Sequence, residues 1–327
     1  MHKFHNKDVS NSSFLITGGA GFIGSHIVEY LLKHGAGEVR VLDNFLTGHK
    51  RNIDIFASNK NFEFIEGDIR DVQTCKKACN NIDYVCHQAA LGSVPRSVKD
   101  PVASNEVNVS GFLNMITAAK DSGVKTFVYA SSSSVYGDEP NLPKKEPQIG
   151  NALSPYAVTK RTNELYAEVF GKLYNMKTVG LRYFNVFGPR QDPNGPYAAV
   201  IPLFVSGILK QIPVYINGDG EQTRDFTFVE NAVQANILGL LTDNDKAFGQ
   251  VYNVAVGENF SVNFLYESIR KILGVEHQPT YREPREGDIR NSLADISKAK
   301  QLLGYQPTQK FLDGLAKTVD FFKEANL

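Results

Sequence analysis

Apolar residues along the chain recur in two rhythms. Short β-branched runs at Phe14–Thr17, Val39–Leu42, Phe62–Ile65, Tyr84–Cys86, Thr126–Tyr129 and Thr178–Leu181 read as strands. Between them, segments such as Ser25–Lys33 and Val109–Lys120 place apolar residues at helical spacing. The first of these stops at His34-Gly35, a basic last turn followed by a glycine able to end a helix. Strands alternating with helices predict an α/β chain, a Rossmann-type doubly wound parallel sheet covered on both faces. Beyond about residue 184 the pattern loosens. Pro189–Pro196 and Ile216–Gly220 are turn-rich, and Pro279–Asp288 is a loop dense in charge. A first domain over 1–184 is therefore expected, with a smaller C-terminal α/β lobe from 185–224 and 258–327. Residues 225–257 are expected to rejoin the first domain, through a strand at Tyr252–Ala255.

Composition narrows the class of protein. With 327 residues the chain can bury a large core, and 35 basic residues balance 35 acidic ones. A net charge of zero gives no field for nucleic acid or an anionic membrane, so an anionic ligand would need local arginine or lysine. The three cysteines, Cys75, Cys79 and Cys86, are too few and too clustered for a disulfide framework. They lack a histidine partner at metal spacing, so buried thiols are expected and no metal. Met1–Ser12 lacks the apolar core of a signal peptide, and no run is long enough to span a membrane. A cytoplasmic protein is expected.

Gly19-Ala-Gly-Phe-Ile-Gly24 fits G-x-G-x-x-G directly after the first strand and opens the first helix. Glycines permit the tight turn and let backbone N–H groups approach a pyrophosphate, while the helix terminus adds partial positive charge. Such a hexapeptide also occurs for packing alone; its context is what matters. The second strand ends in Asp43, 19 residues after Gly24, where a carboxylate can accept from both ribose hydroxyls. The same charge would repel a 2′-phosphate, so NAD is expected rather than NADP.

The serine run Ser131–Ser134 follows the fifth strand, and Tyr156-Ala-Val-Thr-Lys160 follows on a helix. Four-residue spacing puts the phenol and the ammonium on one face. A neighbouring cation favours phenolate and suits the tyrosine to general-base work, with a serine hydroxyl relaying the proton. Out of context, Tyr-x-x-x-Lys is a common chance pair on a solvated helix.

Taken together, the glycine turn, Asp43, Gly67-Asp-Ile-Arg70, Asn108–Asn114, the serine run, Tyr156/Lys160 and Leu181–Gly188 resemble the extended short-chain dehydrogenases/reductases that act on nucleotide sugars. Within them the chain looks most like the bacterial UDP-N-acetylglucosamine 4-epimerases. The resemblance implies catalysis by Ser132, Tyr156 and Lys160. It implies an NAD site formed by Gly18, Gly21, Phe22, Ile23, Gly24, Asp43, Asn44, Asp68, Ile69, Gln88, Ala89, Ala90, Asn108 and Tyr183, with Tyr156 and Lys160 beside the cofactor. It assigns the UDP-sugar to Ser93, Ser132, Ser133, Asn185, Ala199, Val200, Tyr215, Asn217, Arg224, Arg285, Asp288 and Ser292. Guanidinium groups suit a pyrophosphate on physical grounds as well.

Related enzymes epimerise, dehydrate, decarboxylate or reduce, so the fold does not decide the reaction. Dehydratases of this type carry an Asp-Glu pair where this chain has Ser133 and Ser134, and decarboxylases a Glu at the second position. Epimerisation at C4 needs no further acid and regenerates NAD in each cycle. Ser292 leaves room for a C2 acetamido group, and Leu91–Ser97 resembles the loop of epimerases that prefer acetylated sugars. UDP-GlcNAc/UDP-GalNAc is the expected pair, with UDP-glucose/UDP-galactose and a UDP-N-acetylglucosaminuronate sugar as alternatives. A non-enzymatic NAD-binding scaffold would need neither Tyr-x-x-x-Lys nor UDP-gripping loops. The resemblance further implies a homodimer through helices near Pro101–Lys120 and Ser154–Leu173, and a place in polysaccharide biosynthesis.

Overall fold

The computed structural model describes residues 1–194, 198–284 and 290–325. Seven parallel strands form the central sheet: β1 (Ser13–Thr17), β2 (Glu38–Asp43), β3 (Phe62–Glu66), β4 (Tyr84–His87), β5 (Thr126–Ser132), β6 (Thr178–Tyr183) and β7 (Gln250–Val254), in the order β7-β6-β5-β4-β1-β2-β3. The strand at 250–254 therefore returns to the sheet, beside β6. Side chains alternate between faces along each strand. Phe14 and Ile16 join one buried cluster and Leu15 the other; Tyr84 and Cys86 divide from Val85 in the same way. Both faces are thus apolar, and each is covered by helices.

Over the first face lie α1 (Phe22–Lys33) and a helix at Val229–Leu241; over the second lie helices at Val72–Cys79, Phe112–Asp121 and Pro155–Tyr174. The α1 helix begins three residues earlier than its apolar pattern suggests, because it includes Gly24. It ends as expected at Gly35, whose φ is +80°. One element differs in kind from the helical pattern: residues 106–111 wind as a π turn before the α-helix at Phe112–Asp121. The wide turn accompanies a close approach, since a Cβ at Gly111 would stand 2.6 Å from the Ile69 side chain. The cysteines are buried, and burial pushes each thiol up to about 12.

A third buried cluster, rich in phenylalanine, lies in the later part of the chain, where Phe187, Phe226 and Phe311 meet edge to face or stacked. Three short strand pairs accompany it, at 186–187 with 227–228, 223–224 with 260–261, and 215–217 with 280–282. Among the described residues no helix is long and apolar enough to cross a membrane.

Candidate active site

A cleft opens at the carboxyl ends of the strands, where the sheet order reverses between β1 and β4. Gly18 leaves β1 with φ +69°, and a Cβ there would stand 2.7 Å from the Ala89 backbone nitrogen. A Cβ on Gly24 would lie 2.2 Å from the Gly18 carbonyl oxygen. The turn therefore closes only with glycine at both positions. Gly21 caps α1 with no side-chain hydrogen bond, which leaves the first helical N–H groups to an anion. Asp43, at the end of β2, is buried. Its carboxylate accepts from the Ala20 N–H at 3.0 Å and the Phe45 N–H at 2.8 Å, while burial pushes its pKa up.

The two ends of the cleft are closed by different means. Asn44 donates to Asp68 at 2.9 Å, and the Arg70 guanidinium beside Asp68 holds its carboxyl below the usual range. Gln88 and Tyr183 both bond the Asn236 amide, at 2.9 Å and 2.8 Å. Asn108 takes no part in the lining. Its side chain is buried, accepts from the Leu91 N–H at 2.7 Å, and donates to the Leu91 carbonyl and the Thr159 hydroxyl. It holds the loop after β4 against the helix that carries Lys160. Gly18, Gly21, Phe22, Ile23, Gly24, Asp43, Asn44, Asp68, Ile69, Gln88, Ala89, Ala90, Tyr156, Lys160 and Tyr183 share the one cleft. Sequence reasoning missed Leu46, Thr47, Leu91, Gly92, Val107 and Ser131 in the same wall. Leu91 and Gly92 stand in the loop and Ser131 in the serine run already singled out, and Thr47 follows Asp43 closely; Leu46 and Val107 carried no signal.

The helix bearing the tyrosine, α2 (Pro155–Tyr174), starts where its sequence says it should: the Ser154 hydroxyl caps Ala157 N–H at 3.1 Å and Pro155 occupies the first turn. The buried Ser97 hydroxyl accepts from the Tyr156 N–H at 3.0 Å, which pins this start to the loop after β4. The Ser132 hydroxyl, which accepts from the Ser134 N–H at 3.1 Å, lies beside the Tyr156 phenol and favours its ionised form, and the Lys160 nitrogen lies 5.9 Å from the phenol ring centre. Lys160 is buried, donates to the Ala130 carbonyl at 2.8 Å, and is pulled down to about 8 by burial. Burial raises the Tyr156 pKa despite the serine. The chain alone thus favours the neutral phenol, contrary to the simple expectation from a neighbouring lysine; a further positive charge is needed to poise the base.

The residues assigned to the nucleotide sugar are more dispersed. Ser93, at φ +103°, caps a helix at Val94–Lys99 by accepting from Arg96 N–H, so its hydroxyl is already engaged. Ser133 opens a 3-10 turn over 133–136. Asn185 donates to the Asp225 carbonyl at 3.2 Å. Ala199 and Val200 form the start of a helix at Val200–Leu209 that has no side-chain cap. Tyr215 is exposed with the Arg282 guanidinium 5.1 Å from its ring centre, and Arg282 donates to Asn217 at 2.6 Å. Arg224 donates to the Thr223 carbonyl, and the Ser292 N–H bonds the same oxygen at 3.1 Å. Arg285 and Asp288 lie outside the described residues. Asp225 went unnoticed in sequence although it follows Arg224. Its buried carboxylate accepts the N–H groups of Val256, Gly257 and Ala294, joining the arginine's strand to the segment after Ser292.

A glycine turn on an uncapped helix, an acidic residue on the second strand and a Ser-Tyr-Lys group at the fifth define a dinucleotide-binding protein of the short-chain dehydrogenase/reductase type. Residues 14–255 match the NAD-dependent epimerase/dehydratase family, and the chain belongs to it. Among curated proteins it is 38% identical over 311 residues to the UDP-glucose 4-epimerase of Mycolicibacterium smegmatis, covering 94% of this chain and 98% of that one. Among solved structures it is similar to the UDP-N-acetylglucosamine 4-epimerase of Methanobrevibacter ruminantium, seen with UDP-N-acetylmuramic acid (41% identity, TM-score 0.91, 96% of this chain and 99% of that one). It is also similar to the UDP-glucuronic acid 4-epimerase of Bacillus cereus with UDP-glucuronic acid and NAD (34% identity, TM-score 0.89, 96% and 99%). NAD is the cofactor, and the uncapped turn and Asp43 fit its pyrophosphate and ribose.

Proposed function

We propose that the protein interconverts UDP-GlcNAc and UDP-GalNAc by inverting the sugar's C4 centre. One observation carries the reaction type. The Tyr156 phenol lies in the cofactor cleft with Ser132, at the end of β5, beside it, while the neighbouring positions that would hold a dehydratase's acid pair are Ser133 and Ser134. Glu164, a buried carboxylate on the same helix, is locked to Arg182 and does not line the cleft. Proton transfer at a single hydroxyl is what this set can perform; expulsion of a second hydroxyl asks for an acid it lacks.

In this mechanism Ser132 hydrogen-bonds the C4 oxygen and orients it towards Tyr156, which takes the hydroxyl proton. Lys160 stabilises the phenolate and holds the cofactor ribose. Bound NAD would supply the hydride acceptor at C4 and the hydride's return to the opposite face. Between these steps the 4-keto sugar turns about its pyrophosphate, gripped by Arg224 and by the open helix start at Ala199-Val200, with Tyr215 and Asn217 beside the uridine. Asn185, Arg285 and Asp288 are assigned to the same grip. Ser93, Ser133 and Ser292 are small enough to admit a C2 acetamido group. The Methanobrevibacter structure supports the acetylated sugar; the glucose and glucuronate names of other relatives support the alternatives.

Proton NMR of UDP-GlcNAc with the purified protein tests this. Growth of the UDP-GalNAc anomeric signal to a fixed ratio, without net NADH, is expected. No change, with turnover of UDP-glucose or UDP-glucuronate instead, would move the substrate; no turnover of any of them would remove the epimerase function.

A further inference from the structure

One face of α2 presents Tyr156, Lys160 and Glu164, each four residues after the last. The first two belong to the cleft; Glu164 lies behind them. Glu164 is 3% exposed and Arg182, on β6, 1%. Arg182 meets the carboxylate with two nitrogens, Nε to Oε1 at 2.8 Å and Nη2 to Oε2 at 2.9 Å, and its Nη1 donates to the Glu146 carbonyl at 2.9 Å. The Ser131 hydroxyl donates to the same Oε1 at 2.6 Å, and Arg161 reaches Oε2 at 2.9 Å. One carboxylate thus ties α2 to β5 next to Ser132 and to β6 next to Tyr183.

A buried ion pair is a poor source of stability, because desolvation offsets much of its attraction and apolar side chains of similar size would serve as well. It is well suited to fixing a distance and a local field. Here both matter, because Lys160 is buried and its hydrogen bond runs to a neutral carbonyl. We propose that Glu164, oriented by Arg182, is a positioning residue for the reaction: it holds the serine end of β5 against the tyrosine face of α2, and it sets the local field at Lys160 one helical turn away.

The other groups around Tyr156 and Lys160 supply no such charge. His87, facing Lys160 from β4, is kept neutral by burial, which pushes it down to about 3. Tyr183 on β6 and Tyr129 on β5 are pushed far up by burial and stay neutral too. Arg161 and Lys298 face Glu164 as cations, Tyr136 lies under the Arg182 guanidinium, and Glu146 meets that arginine through its backbone carbonyl while its carboxylate accepts from the Asn253 N–H. Glu164 is the carboxylate whose charge raises Lys160.

The proposal rests on the epimerase function above, and the test separates the two. Glu164→Gln keeps the shape and can still accept from Ser131 and Arg182, but it removes the negative charge one turn from Lys160. The expected result is retained NAD, KM within about 2-fold, and a pH–kcat bell whose Lys160 limb is displaced to lower pH by on the order of one unit. Glu164→Gln/Arg182→Met removes both charges, leaves no unpaired buried cation, and should move the bell back towards wild type. A bell unmoved by the single change, or not moved back by the double, overturns the electrostatic half. Ser131→Ala leaves the ion pair whole and folds independently of any charge loss. It should lower kcat several-fold with KM unchanged under saturating NAD, and an unchanged kcat overturns the geometric half. If the wild type turns over no UDP-sugar, the epimerase function fails, yet the field can still be read by NMR. The Lys160 ¹³Cε resonance, assigned by its loss in Lys160→Met, must titrate at lower pH in Glu164→Gln than in wild type; equal titration overturns the electrostatic half.

Discussion

Tyr156 shows how a single residue depends on what surrounds it. Its own environment raises the phenol, through burial, and only the neighbouring Ser132 opposes this. As the proposed base it would be poised by Lys160 together with the positive ring of bound cofactor, not by the helix face alone. Tyr156→Phe should keep its NAD and lose turnover by roughly 10²–10⁴-fold, the usual range for a general base. Proton NMR of the sugar with a parallel assay of bound NAD checks this, and full activity would reassign the base. Asp43 makes the complementary case. Asp43→Ala should weaken NAD binding by about 1.5–3 kcal/mol, the range for a charged hydrogen bond, seen as loss of NAD on gel filtration. NAD retained at wild-type level would remove Asp43 from the ribose site.

At the scale of an element, the glycine turn is specified by close approach. Gly18→Ala would hold an L-residue at φ +69° and drive its Cβ to 2.7 Å from the Ala89 nitrogen. The left-handed conformation alone costs about 1–2 kcal/mol, and the clash adds to it. A fall in both thermal stability and NAD content is expected. Gly92 lines the same cleft but has nothing within 4 Å of its missing Cβ, so Gly92→Ala should leave thermal stability as it was. Equal melting temperatures for the two variants would show that the turn relaxes around the methyl group.

For the whole molecule, α2 leaves an apolar stripe uncovered. Val158, Leu165, Val169 and Leu173 recur at helical spacing and are 53%, 47%, 46% and 69% exposed, with Val98 and Val102 beside them at 64% and 66%. A contiguous stripe of this kind marks an association surface. We propose that a second copy covers it, by helix packing against the equivalent helix. Sedimentation should give a dimer at micromolar concentration, and Leu165→Glu/Val169→Glu a folded monomer. A wild-type monomer would remove the dimer.

What the sequence by itself determined is everything that short-range rules govern. Strand and helix alternation follows from side-chain period, the phosphate-binding turn from glycine spacing, the start of α2 from Ser154-Pro155, and the Tyr156/Lys160 face from four-residue spacing. Even there the ends of elements moved, as with the π turn at 106–111, because packing against Ile69 rather than local propensity set its width. The tertiary structure alone decided the rest. Asn108 was assigned to the cofactor from its motif, but its amide is spent on Leu91 and Thr159, 17 and 51 residues away. Ser131, Glu164 and Arg182 meet across 33 and 18 residues, and Asp225 reaches backbone 31 to 69 residues on. Such partners leave no local periodicity, because a buried charge or amide is satisfied by whichever group the folded sheet brings within 3 Å, and chain separation does not enter that energy.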